Sequence, residues 1–143
     1  MTPYQIALVQ ESFAAVAPDP EGAATLFYGK LFTADPSLRS LFRGDMKEQG
    51  RKLMGTIALV VAGLTRLDTI IAAVEQLGRR HADYGVRDAH YHVVGETLID
   101  TLAEALGPRF TSEVREAWAA AYAVLATTMM AAAARRHCAT ATA

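Results

Sequence analysis

The sequence predicts an all-α protein folded as one domain. Three observations carry that expectation. Apolar residues recur at helical spacing along nearly the whole chain. The breaks between these stretches fall at cap, proline and glycine signals. The Val-Val and Ile-Ile pairs that could seed a strand lie inside 3.6-residue patterns, so no strand is assigned. At 143 residues, with 52% apolar and 20% charged side chains, the chain can bury a full hydrophobic core.

Each element has a local cause. Thr2 and Gln5 form a capping box around Pro3, and Ile6, Val9, Phe13 and Val16 make the apolar face that follows. Asp19-Pro20 opens a second helix to about Thr33, and Asp35-Pro36 opens a short third one ending near Phe42. From 46 to 64, apolar residues or glycine recur at 46, 50, 53, 54, 57, 60, 61 and 64, one face of a helix. A helix over 68–83 carries His81, and Gly85 and Val86 end it. Asp88 is expected to cap a helix through about Leu106, where Gly107-Pro108 stops it. Thr111 caps the last helix, expected to run to about Arg135. The domain is therefore expected over 1–136, with a frayed Ala/Thr tail at 137–143.

Composition excludes several function classes. The formal charge is −1, and no basic stripe marks a nucleic-acid binder. Cys138 is the single cysteine, so no intrachain disulfide forms. Gln5, Gln10 and Glu11 interrupt the start of the chain, so no leader is expected and the cytoplasm is the expected location. Residues 117–134 carry no charge and reach the length of a membrane span. They are mostly alanine, which enters lipid poorly, and their larger residues form a helical stripe. A buried helix with no membrane insertion is the expectation.

The side chains that carry chemistry are few. His81 lies on the apolar face of its helix, in line with Ile70, Val74 and Leu77. A core histidine satisfied by backbone partners is one reading. The other is an axial ligand aimed at a haem iron. His90 and His92 are two apart, on different faces of one helix, and cannot chelate one ion together. No HExxH, CxxC or phosphate-binding glycine loop occurs, and no serine or cysteine has a matched base. Chemistry in such a chain belongs to a cofactor.

Six strings occur in order: FYGKLF (27–32), PSLRSLF (36–42), QGRKLM (49–54), RRHADYGV (79–86), AHYHVVGETL (89–98) and AWAAAYAVLA (117–126). With them the chain resembles bacterial single-domain globins of the flavohaemoglobin and Vitreoscilla haemoglobin lineage, over about residues 3–135. The resemblance implies a globin fold, a three-over-three helical sandwich around haem b. It implies His81 as the iron ligand, Phe42 packed flat on the haem, and Val86 beneath it. On the distal side it implies Tyr28, Gln49 and Leu53. Lys52 and Arg80 would reach the propionates, although exposed cations on helices are commonly plain solvated charges.

Dioxygen that takes up negative charge accepts hydrogen bonds, and a phenol and an amide are apt donors in a dry pocket. The resemblance thus implies reversible oxygen binding for storage or delivery, with nitric oxide detoxification beside it. A nitric oxide dioxygenase served by an external flavin reductase, and a haem gas sensor, are the alternatives. The assembly expected is a monomer or weak homodimer. One departure stands out. Tyr91 matches a tyrosine that in the lineage joins a late glutamate in a proximal network, and Ala133 occupies the glutamate position here. The missing carboxylate should leave the iron less suited to O–O cleavage.

Overall fold

The computed structural model describes the backbone of residues 1–142 and side chains through Arg135. Its helices are α1 (Pro3–Val16), α2 (Pro20–Ala34), α3 (Met46–Ala62), α4 (Leu67–Asp83), α5 (Asp88–Leu106) and α6 (Ser112–Thr142), with 3₁₀ turns at Pro36–Leu41, Gly63–Thr65 and Gly107–Arg109. No strand occurs among the described residues. Helices α1, α3 and α4 lie over α2, α5 and α6, and the heaviest packing runs between α4 and α6, α1 and α6, and α2 and α5.

The caps behave largely as expected. Gln5 N–H donates to Thr2 Oγ1, and Thr2 N–H returns to Gln5 Oε1. The Asp19, Asp35 and Asp45 carboxylates accept from the first turns of the elements they precede. Each such cap satisfies a donor the helix leaves open and contributes about 1 kcal/mol. Three boundaries differ. Asp88 is the first helical residue of α5 and not its cap. Arg87 precedes it, and the Arg87 N–H donates to His90 Nδ1 at 2.9 Å. Helix α3 tightens into a 3₁₀ turn at Gly63 instead of running on to Leu64. Helix α6 runs through Thr142, past Arg135. The side chains of 136–143 lie outside the described residues, and with them the fraying expected at 137–143 and any role for Cys138.

Helix α6 is one-sided. Ala117, Trp118, Ala121, Ala126, Met129 and Ala132 are buried while Ala119, Ala123, Thr127 and Ala131 face outward. By length and composition Ser112–Arg135 could cross a membrane. Here its inner face supplies the main core, with Val9, Met54, Leu102 and Leu106.

That core is flanked by two smaller apolar clusters that remain separate. One gathers Phe27, Tyr28, Leu31 and Leu38 with Phe42, Leu53 and Val94. The other gathers Ile70, Val74, Tyr91 and Met129 with Leu77, Val86 and Tyr122. Helix α5 joins them, since Tyr91 packs in one and Val93, Val94 and Leu98 in the other. Helix α4 packs chiefly on α6. The cluster built on α4 and α6 is thus distinct from the one built on α2, the 36–41 turn and α3.

Candidate functional site

His81 sits in the last turn of α4, half-buried. Its Nδ1 is 2.8 Å from the Leu77 carbonyl oxygen, one turn back. An imidazole nitrogen at that distance from a carbonyl must donate, so the proton is on Nδ1 and Nε2 is a lone-pair base. Among the described residues Nε2 meets no hydrogen-bonding group, and no orphaned polar atom is sealed in the core. Burial pushes the His81 pKa below its ordinary 6.5, against the smaller opposing effect of the Leu77 carbonyl. The ring is therefore neutral at neutral pH, as a metal ligand must be.

The backbone that holds His81 is closed by a Schellman arrangement. Val86 N–H donates to the His81 carbonyl at 2.9 Å and Gly85 N–H to the Ala82 carbonyl at 3.1 Å. Gly85 has φ of 92°, which a side chain would strain. That closure turns Val86 inward, where it packs with Leu77 and Tyr91. The Tyr91 ring lies 6.5 Å from the His81 ring, tilted by 31°. Tyr122 O–H donates to the Tyr91 carbonyl at 2.5 Å and so ties α5 to α6 behind the imidazole.

Tyr28 lies in the other cluster, on α2. It is 7% exposed, edge-on to Phe27 at 5.1 Å and to Phe42 at 5.3 Å, and stacked on Phe32 at 5.8 Å. Burial raises its pKa above 10, and the nearby Gln49 side chain offsets this by less. Tyr28 and Gln49, 21 positions apart, thus lie close to each other. Leu53, one turn after Gln49, joins the same cluster. The Phe42 carbonyl accepts from Arg39 at 3.0 Å, which fixes the loop that presents its ring.

The structure therefore gathers His81, Val86 and Tyr91 in one place and Tyr28, Phe42, Gln49 and Leu53 in another. Lys52 and Arg80 remain solvent-exposed on α3 and α4. Ala133 is half-buried near an apolar cluster that holds Met129 and Met130. His90 caps α5, and His92 pairs with Glu96 at 3.1 Å. No metal-binding cluster of His, Cys, Asp or Glu occurs among the described residues. Sequence reasoning missed three contributors: the Leu77 carbonyl, Phe32 and Tyr122. The first two were available as four-residue spacings, Leu77 to His81 and Tyr28 to Phe32. The third was not, because Tyr122 meets Tyr91 across 31 positions.

His81 Nε2 is an open lone-pair base beside an aromatic and aliphatic cluster, and Tyr28 and Gln49 are neutral donors beside another. That donor set fits a haem.

The chain matches the globin family model over residues 25–129. It is 32% identical over 129 residues to a flavohemoprotein of Bordetella pertussis, covering 88% of this chain and 32% of that protein. It is likewise 32% identical over 133 residues to the flavohemoprotein of Deinococcus radiodurans, covering 91% of this chain and 33% of that one. The chain thus spans about a third of the length of these curated relatives.

Among solved structures, it superposes with a TM-score of 0.89 on an engineered carbene transferase, a candidate nitric oxide dioxygenase from Rhodothermus marinus. The identity is 28%, and the match covers 99% of both chains. A bacterial globin from Campylobacter jejuni gives 0.83 at 22% identity, covering 95% of this chain and 99% of that one, a likeness of fold. The helices and these matches agree, and the chain belongs to the globin family, among bacterial globins of flavohaemoglobin lineage.

Proposed function

We propose that this chain binds haem b through His81 and takes up dioxygen reversibly. The observation that carries the reading is the half-buried His81 ring, with Nδ1 held to the Leu77 carbonyl and Nε2 open. When bound, the haem would supply an iron that takes up a gas. The rest is done by the protein. The Leu77 carbonyl fixes the imidazole tautomer and its rotation about the ring axis. Val86 and Phe42 offer apolar faces to the macrocycle. Tyr28 O–H and the Gln49 amide donate to a ligand that gains negative charge, and the surrounding aromatic rings keep water from competing. Glutamine is a weak ligand for iron beside histidine, so the distal side serves gas.

An absorption spectrum of the purified ferrous protein, with and without dioxygen, tests this. The expected result is one haem per chain and reversible spectral change. A chain that takes up no haem overturns it.

A second reading has its own support. The relatives are flavohemoproteins, and one structural neighbour is a candidate nitric oxide dioxygenase. We propose nitric oxide detoxification as a further capacity, with a flavin reductase as the source of electrons. The apolar surroundings of Ala133 speak for oxygen binding as the primary role. No carboxylate stands there to draw the imidazole proton and raise its basicity. Nitrate formed per haem, with reduced nicotinamide and a flavin reductase both added, decides between them: a halt after one per haem marks the carrier, and many turnovers mark the dioxygenase. No particular observation favours a sensor.

A further inference from the structure

One exposed cation holds the edge of the aromatic cluster on α2. Tyr28, Phe32 and Phe42 form a closed set of rings. Phe32 stacks on Tyr28 at 5.8 Å, and Phe42 stands edge-on to both, 5.3 Å from Tyr28 and 5.5 Å from Phe32. Arg39 lies against this set from the solvent side, its guanidinium carbon 5.6 Å from the centre of the Phe32 ring. The same guanidinium donates to the Phe42 carbonyl at 3.0 Å, and the Arg39 carbonyl accepts from the Phe42 N–H at 3.2 Å. Both backbone polar groups of Phe42 thus go to one residue.

Phe42 needs such a hold. It follows the 3₁₀ turn at Pro36–Leu41 with extended backbone, φ −107° and ψ 107°, and α3 starts only at Met46. Residues 42–45 belong to no helix. Tyr28 and Phe32, by contrast, are four apart on α2, and the helix itself sets their spacing. Phe42 is therefore the ring of this set whose place depends on a loop. Arginine suits the task, because a flat guanidinium can lie on a ring face and still direct N–H groups past the ring's edge. A lysine ammonium is a compact point charge and does one or the other.

We propose that Arg39 is a positioning residue for the Tyr28 hydroxyl. The proposal rests on the haem-binding reading, in which Tyr28 O–H donates to the bound gas. Three rings pack on Tyr28: Phe27 edge-on at 5.1 Å, Phe32 on its face and Phe42 edge-on. Phe27 and Phe32 belong to its own helix, so Phe42 is the aromatic contact that comes from outside α2. By clamping Phe42, Arg39 narrows the motion of the phenol and fixes the direction of its O–H. A hydrogen bond weakens steeply as it bends, so a small loss of aim costs part of the bond to the gas. Arg39 touches neither gas nor haem in this arrangement. It acts through Phe42 and Tyr28.

Two measurements on the haem-loaded protein test this. Haem content is read first by absorption. A protein that takes up no haem fails the proposed function, and this proposal falls with it; once haem is loaded, the results judge Arg39 alone. In the ferrous protein under carbon monoxide, the nuclear Overhauser contact between the Phe42 and Tyr28 rings should weaken in Arg39→Gln while the circular dichroism stays helical. An unchanged ring contact overturns the clamp. Arg39→Gln should also speed dioxygen release roughly three- to tenfold, the scale of one hydrogen bond partly lost. In a Tyr28→Phe background the same substitution should change release by less than about twofold, because the two positions act as a unit. Equal acceleration with and without the Tyr28 hydroxyl overturns the proposal, since Arg39 would then reach the ligand by another route. Arg39→Lys should recover only part of the rate. Full recovery by lysine overturns the proposal as well, since charge alone would then suffice.

Discussion

Gly78 and Met129 meet backbone to backbone: a Cβ built on Gly78 would lie 2.4 Å from the Met129 carbonyl oxygen and 2.6 Å from its Cα. This contact is the hinge point of the heaviest helix pairing in the molecule, α4 on α6. It lies one turn before His81 and sets how deep that ring sits. Main chain cannot swing aside as a flexible side chain does.

Gly78→Ala should therefore destabilise the protein. Helix propensity alone favours alanine by about 1 kcal/mol, but overpacking costs about 1–3 kcal/mol and here wins. Gly55→Ala in α3 meets nothing within 4 Å and should stabilise instead. Denaturant midpoints of the two variants should move in opposite directions. Stabilisation of both would show that α4 can slide on α6 freely.

His81→Ala should lose most of the haem while keeping its helical circular dichroism. His90→Ala and His92→Ala should retain haem, since His90 caps α5 and His92 pairs with Glu96 at the surface. Haem per chain, read from absorption, checks this. A wild-type spectrum in the His81 variant would falsify the assignment.

Tyr28→Phe should speed dioxygen release roughly 10- to 150-fold, as a buried hydrogen bond to a partly charged acceptor contributes about 1.5–3 kcal/mol. Gln49→Leu should act in the same direction. Stopped-flow release rates provide the comparison, and unchanged rates in both variants rule the pocket out.

Stability should also respond to alkali. Burial raises the pKa of Tyr28, Tyr91 and Tyr122 above the ordinary 10. The folded phenols stay protonated where the unfolded ones ionise. The folded state then binds more protons than the unfolded one, and stability falls as pH rises. The contribution is intact below pH 10 and is lost progressively above it. Urea midpoints should be flat from about pH 8 to 9.5 and then decline. Replacing Tyr122 with Phe should reduce the decline and lower stability at neutral pH, because its bond to the Tyr91 carbonyl is gone.

Much of the architecture was present in local sequence. Thr2 with Gln5, Asp19-Pro20, Asp35-Pro36 and Gly107-Pro108 mark element ends, and the apolar period placed the six helices within a few residues. His81, with Gly85 and Val86 to end its helix, could be singled out from one face and one turn signal. These signals act over four or five residues, within reach of a single helical turn, so the sequence displays them directly. The tertiary structure decided the rest. Tyr28 lies close to Gln49, Tyr122 reaches the Tyr91 carbonyl, Leu41 abuts Gly85, and Gly78 touches Met129 only after the helices have packed. Asp88 has the chemistry of a cap, yet His90 accepts from the Arg87 N–H and starts the helix one residue earlier than that cap implies. Pairings across dozens of residues depend on which faces the whole core buries together, and no short stretch of sequence contains that information.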